Sequence, residues 1–185
     1  LIPDARGHGK SEGKYIGMGW LERKDILEWI KLILKYNPDA KIVLYGVSMG
    51  GATVMMTSGE SLPENVKCVI EDCGYTSVWD EFKYQFTTFF KISCFPVLHI
   101  TSFITKLVNK YSFVEASSIK QIKKCKIPIL FIHGSKDTFV PIYMVNELYE
   151  AASCPKEILI VKGDCHAESF FVNSKQYQIY CPPRS

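Results

Sequence analysis

Ile42-Val43-Leu44-Tyr45-Gly46-Val47-Ser48-Met49-Gly50-Gly51-Ala52 is the stretch that decides the fold. An apolar run the length of a buried strand leads straight into Gly46-Val47-Ser48-Met49-Gly50, and small residues follow. The pentapeptide reads as a nucleophile elbow. A strand reverses sharply into a helix, and the serine between them is held in a strained backbone conformation that lifts its hydroxyl clear of the sheet. Such a turn needs neighbours without bulk, and Gly46, Gly50 and Gly51 supply the room. Two glycines and a serine at fixed places arise by chance in roughly one chain of this length in twenty, so the flanking strand and helix carry the weight of the reading.

Working outward, strand and helix patterns alternate, which predicts a parallel sheet covered on both faces. Leu1-Ile2-Pro3-Asp4 reads as the tail of a strand entering a glycine-rich loop from Gly7 to Gly17. From Trp20 to Tyr36, Ile26, Ile30 and Ile33 recur at helical spacing with Leu27 and Leu34 beside them, and Asn37-Pro38 ends the pattern. After the strand at Ile42–Tyr45 comes a helix from Met49 to about Ser58, then a strand at Val66–Glu71. An aromatic-rich, mostly helical segment from Cys73 to Ser118 breaks the alternation and is expected to be a lid over a site. Alternation resumes with a strand at Ile127–His133, a helix near Ile142–Ala152 and a strand at Glu157–Val161. One domain is expected, spanning residues 1–185 with the lid inserted at about 73–118.

Composition bounds the rest. At 47% hydrophobic and 13% aromatic over 185 residues, the chain builds one sizeable core and is neither disordered nor fibrous. The net charge is +3 with both signs interspersed, and the densest basic cluster, Lys120, Lys123, Lys124 and Lys126, reads as a solvated face. No nucleic-acid-binding signature is present, and none of the seven cysteines forms a CxxC pair. Cys68, Cys73 and Cys94 fall in apolar runs, so buried free thiols in a reducing compartment, the cytoplasm favoured, are expected in place of a disulfide framework or zinc site. The most hydrophobic stretch, Phe86 to Val108, is interrupted by Lys91, Pro96 and His99 before a membrane span could form.

Two later strands end in groups suited to work with Ser48. Ile129-Leu130-Phe131-Ile132 leads to His133-Gly134-Ser135-Lys136-Asp137, and Ile158-Leu159-Ile160-Val161 leads to Lys162-Gly163-Asp164-Cys165-His166. In an open parallel sheet, functional groups gather at the carboxyl ends of the strands, so Ser48, Asp137 and His166 can converge from distant positions. A serine hydroxyl needs a base to take its proton as it attacks, and a neutral imidazole can do so. Asp137 would orient the ring of His166 and stabilise the imidazolium. The Met49 amide, opening the following helix, would hold the developing oxyanion.

These loops together resemble the α/β-hydrolase superfamily, in its bacterial serine-hydrolase branch with lysophospholipase-like and serine-aminopeptidase-like members. The resemblance rests on Asp4-Ala5-Arg6-Gly7-His8-Gly9-Lys10-Ser11, the elbow at Ser48, Glu71-Asp72-Cys73-Gly74-Tyr75-Thr76-Ser77, the His133 to Pro141 segment and Gly163 to His166. It implies an α/β-hydrolase fold, mostly parallel, with a helical lid, whose first three strands are missing from the sequence. It implies also a serine hydrolase acting on an ester, thioester or amide through an acyl-enzyme, with a small-molecule or lipid-like acyl substrate. Neither a cofactor nor a metal is expected, since nucleophile and base are protein groups. Membrane contact is expected only through a segment ahead of Leu1. Some members place the acid at the position of Asp72, which stands as the alternative to Asp137. His8 and His133 are expected to support their loops, and His99 to be incidental.

The missing strands predict an unpaired sheet edge, an uncovered apolar face and the loss of the family's second oxyanion donor. The paired prolines after Tyr177-Gln178-Ile179-Tyr180-Cys181 are not compatible with a long closing helix. A non-catalytic fragment or scaffold that keeps the motifs without a complete oxyanion hole is therefore the alternative to an active hydrolase.

Overall fold

The computed structural model describes residues 1–180. Four strands, β1 (Ile42–Val47), β2 (Val66–Asp72), β3 (Ile129–Gly134) and β4 (Lys156–Val161), form one parallel sheet in the order β1-β2-β3-β4. Register aligns their carboxyl ends: Val47 pairs with Asp72, Asp72 with Ile132, and Gly134 with Val161. That alignment builds the rim on which the site stands. β3 begins at Ile129, two residues later than its apolar run, because Pro128 has no N–H to donate.

Helices cover both faces, and α2 is buried nearly all round. α1 (Glu22–Tyr36), α2 (Met49–Ser58), α5 (Ser118–Ile122) and α6 (Tyr143–Ala151) share one core with the sheet, built on Ile30, Met55, Val69, Ile122, Phe131 and Leu148. On the other side Ile132, Leu159 and Val161 pack with Tyr177 of α8 (Ser174–Tyr180), which follows the short α7 (Ser169–Val172). α8 reaches Tyr180, and the paired prolines of the tail lie outside the described residues. α1 starts two residues after the apolar pattern does. The Glu22 carboxylate accepts hydrogen bonds from the Gly17 and Gly19 amides at 2.6 and 2.8 Å, folding Gly17–Trp20 into a turn instead.

The first four residues form no strand, which corrects the sequence reading. Pro3 removes a ladder donor from a segment already short, and Asp4 serves the following loop. Its carboxylate accepts from the Lys10 amide at 2.9 Å and its carbonyl from the Ser11 hydroxyl at 2.8 Å. β1 is consequently a sheet edge, with Val43 45% and Tyr45 52% exposed. A cavity of about 990 Å³ lies along it, bordered by Ile2, Trp29, Val43, Tyr45, Met49 and Val54.

Between β2 and β3 the chain makes a helical excursion, α3 (Val78–Thr88) and α4 (Val97–Asn109). Its base is tied by an antiparallel bridge of Ser77 with Ser117 and by the Val78 amide bonding the Ala116 carbonyl at 2.9 Å. Tyr75, Val78, Leu98, Tyr111 and Phe113 give it a core of its own, closed against Ala52 and Met56 of α2 and Met144 of α6. Among the described residues, six cysteines are free thiols, with Cys73, Cys125 and Cys154 buried. No helix among them is long and apolar enough to cross a membrane.

Candidate active site

Ser48 sits at φ 55°, ψ −118°, a conformation that L-residues rarely adopt. Two features hold it there. Its amide donates to the Asp72 carbonyl at 2.8 Å, and its carbonyl accepts the first helical bond of α2, from Ala52, at 3.0 Å. Gly46 makes the reversal feasible, because a Cβ there would stand 2.1 Å from the Gly50 carbonyl oxygen. Gly51 is tight as well, its Cβ position lying 3.1 Å from the Asp72 carbonyl oxygen. Gly50 is different: a Cβ there meets nothing within 4 Å, so the elbow does not need this glycine for space, against the sequence expectation.

The other two loops are bound to each other before they meet Ser48. The Ser135 amide donates to the Val161 carbonyl at 2.9 Å, and the Lys136 amide to the Asp164 carbonyl at 2.8 Å. Gly134 lets them close, since its Cβ would fall 2.6 Å from the Cys165 carbonyl oxygen. In this frame Asp137 is buried, with Oδ1 accepting from the amides of Phe139 and Val140 at 2.9 Å each. Oδ2 lies 2.7 Å from His166 Nδ1, and His166 Nε2 lies 2.8 Å from Ser48 Oγ. A carboxylate already holding two amides at one oxygen is an acceptor at the other, which puts the ring proton on Nδ1 and leaves Nε2 to accept from the serine hydroxyl. The imidazole also packs on Phe139, ring centroids 4.8 Å apart. The residues Ser48, Asp137 and His166, 118 positions apart at their extremes, thus form one hydrogen-bonded chain.

Met49 opens α2, so its amide is among the first-turn donors that no helical carbonyl takes. The cavity along β1 touches Met49 and Gly50, but Ser48, Asp137 and His166 are not part of its wall. It runs behind the elbow, not over the serine.

Asp72 takes no part in the chain to His166. Its carboxylate accepts from Ser169 Oγ at 3.2 Å and Tyr177 OH at 3.1 Å, and burial lifts it to a pKa of about 6. Ser169 Oγ also lies 2.6 Å from Asp164 Oδ2, and burial raises the pKa of Asp164 too. This network, which pins α7 and α8 to the rim, was not anticipated, and no spacing marks it because its members lie on β2 and on segments about a hundred positions away. His133 is fully buried, its Nε2 2.8 Å from the Val140 carbonyl and 3.6 Å from Asp137, and desolvation lowers its pKa. It is a neutral prop of the Asp137 loop. His8 likewise bonds the Arg6 carbonyl at 3.0 Å, and His99 packs edge-on against Trp79 and Phe95.

The helical excursion touches the site directly. Gln85 donates to the Phe139 carbonyl at 2.8 Å, and Tyr84 to that of Thr138 at 3.2 Å. One turn earlier is Glu81, 3% exposed, with Oε1 bonded to Gln85 at 2.7 Å and Oε2 without a partner. Burial pushes its pKa to about 7, with Asp137 raising and His166 lowering it. A glutamate on an amphipathic helix reads as solvent-facing, so nothing in the sequence flagged it. Cys73, at φ 49°, is the other neighbour. Its Sγ and the donor atoms of Asp137 and His166 lie within 4.8 Å of one another. Such a set could hold a thiophilic cation only by giving up the Asp137–His166 bond, and burial keeps the thiol protonated.

With this geometry in view, the comparisons with known proteins are consistent among themselves. The model of the alpha/beta hydrolase fold matches residues 1–92. A Bacillus subtilis protein of uncharacterized function, YqkD, is 31% identical over 96% of this chain, and an Escherichia coli protein, YfhR, is 24% identical over 90%. The chain spans 59% and 52% of those relatives. Among solved structures, an esterase of Pyrococcus furiosus superposes with a TM-score of 0.73 at 22% identity, covering 96% of this chain and 66% of its own. An acylaminoacyl peptidase of Pyrococcus horikoshii gives 0.67 at 20%, covering 89% and 27%. Fold, elbow and loop order converge on one conclusion: the chain has the α/β-hydrolase fold.

Proposed function

We propose that this chain carries the catalytic rim of a serine hydrolase that cleaves a carboxylic ester, thioester or amide. The observation that carries the reading is the continuous hydrogen-bonded path Asp137–His166–Ser48, at 2.7 and 2.8 Å. In the first step Ser48 Oγ attacks the acyl carbon while His166 Nε2 takes its proton, and the negative charge forming on the carbonyl oxygen falls to the Met49 amide. The imidazolium, held by Asp137, then protonates the leaving alkoxide, thiolate or amine, and an acyl-serine remains. Water then attacks the acyl carbon as His166 Nε2 takes its proton, the bond to Ser48 Oγ breaks, and His166 returns the proton to the serine oxygen as the acid leaves. The helical excursion bonded to the Thr138–Phe139 backbone acts as the lid, and its aromatic-rich composition favours an apolar acyl group.

The esterase among the structural neighbours favours small acyl esters as the first substrates to try, and the peptidase keeps amides in view. The test is turnover of p-nitrophenyl esters of increasing acyl length by the protein and by Ser48→Ala. Ester cleavage that disappears in the variant supports the reading; equal rates would overturn it. The second reading is a non-catalytic fragment or scaffold that keeps the triad motifs without a complete oxyanion hole, for which the Met49 amide is the donor identified. Ester turnover by the 185-residue chain excludes it.

A further inference from the structure

α4 is built inside out. Its inward side carries only Leu98 and Ser102 buried and Thr105 and Asn109 half-buried, while Val97, Ile100, Phe103, Ile104, Leu107 and Val108 are exposed. At about 100° per residue, these six fall within one arc of about 140°. A helix of a water-soluble protein turns such a stripe to the core. Phe89, Phe90, Ile92 and Phe95, in the turn that leads to it, are exposed as well, Phe95 by 68% and Phe103 by 63%. A continuous apolar area of this kind marks a surface that binds something.

Charge tells what. From Phe82 to Val114 there is no Asp or Glu, and there are four lysines, Lys83, Lys91, Lys106 and Lys110. Lys106 pairs with Glu115 at 2.6 Å and Lys110 donates to the Leu107 carbonyl, which leaves Lys83 and Lys91 exposed beside the phenylalanines. A second copy of the chain would set lysines against lysines. An anionic lipid surface offers apolar depth ringed by negative charge. α4 is too short to span a bilayer, so it would lie in the interface plane.

We propose that the outer face of α4, with the turn from Phe89 to Phe95, is a docking surface for an anionic lipid bilayer. This differs from the sequence expectation, which allowed membrane contact only ahead of Leu1, and it stands whether or not Ser48 is a nucleophile. The experiment is flotation of the full chain with phosphatidylcholine vesicles, with and without phosphatidylglycerol, at low and high salt. Adding phosphatidylglycerol raises the bound fraction about tenfold, and high salt reverses most of that gain. Phe103→Ser combined with Ile104→Ser and Leu107→Ser removes binding to both vesicle types. Lys83→Glu with Lys91→Glu, which alters no apolar contact, removes only the preference for the anionic ones. Absence of binding, equal binding by both variants, or a concentration-dependent dimer that the serine variant dissolves would each overturn the proposal, the last by showing that a second copy covers this face.

Discussion

The rim at the ends of β1, β3 and β4 and the helical excursion between β2 and β3 are built by opposite means. At the rim the site is held by hydrogen bonds: Asp137 holds two amides and a ring nitrogen, and the loops of Asp137 and His166 are tied by backbone bonds. The excursion is fixed by a small core and a bridge at its base, and it leaves Phe89, Phe90, Phe95 and Phe103 exposed to water. A site that must hold a hydroxyl within a fraction of an ångström needs the first construction. A surface that adapts to acyl chains or lipid is served by the second. Substitutions at the rim should therefore act through chemistry and backbone strain, and those on α4 should leave the fold alone.

The sharpest contrast comes from Asp137→Asn. An amide in place of the carboxylate can donate to the imidazole and hold the wrong tautomer, so kcat should fall about 10³- to 10⁴-fold with little change in melting temperature. A loss below tenfold would show that another group orients His166. Next in size is Gly46→Ala, where the new Cβ collides with the Gly50 carbonyl. It should destabilise the fold by about 3 kcal/mol, whereas Gly50→Ala, with open space around it, should be nearly neutral in a thermal melt. Similar melting temperatures for the two would contradict the account of the elbow.

The buried acids give a pH signature. Asp72, lifted from 3.8 to about 6, and Glu81, lifted from 4.5 to about 7, bind protons in the folded chain at pH values where the unfolded chain has released them. The unfolded state then holds fewer protons, so stability falls as pH rises from about 4 to about 7. For Asp72 the loss is on the order of 2–3 kcal/mol by neutral pH. Glu81→Gln should flatten the upper part of that decline while keeping the contact with Gln85; melting curves across the range decide it. Smallest of all, Phe103→Ser should change stability by no more than about 0.5 kcal/mol, and a larger loss would mean that the outer face of α4 is packed in solution.

What was legible in the sequence follows the same division. Elements with a clean period were readable: α1, β1, α2 and β2 begin and end within two residues of where apolar spacing places them. The convergence of Ser48, Asp137 and His166 was readable because parallel strands deliver their loops to one rim. The failures are of another kind. Leu1–Asp4 has strand composition, but strands exist only where a neighbour supplies hydrogen bonds, and Pro3 removes one donor. Asp72, Asp164, Ser169 and Tyr177 form a buried network through side chains from three separate segments, which leaves no local pattern. Glu81 hides because its helix is amphipathic and the direction of its burial depends on how α3 leans on the Thr138–Phe139 loop.

The central claim is that the hydroxyl of residue 48 is the group that forms the acyl intermediate. Treating the protein with a fluorophosphonate and mapping the adduct by peptide mass spectrometry tests it most directly. The account predicts one stoichiometric adduct on Ser48, lost when His166 is replaced by Ala. An adduct confined to another residue, or none in a preparation that hydrolyses esters, would contradict it.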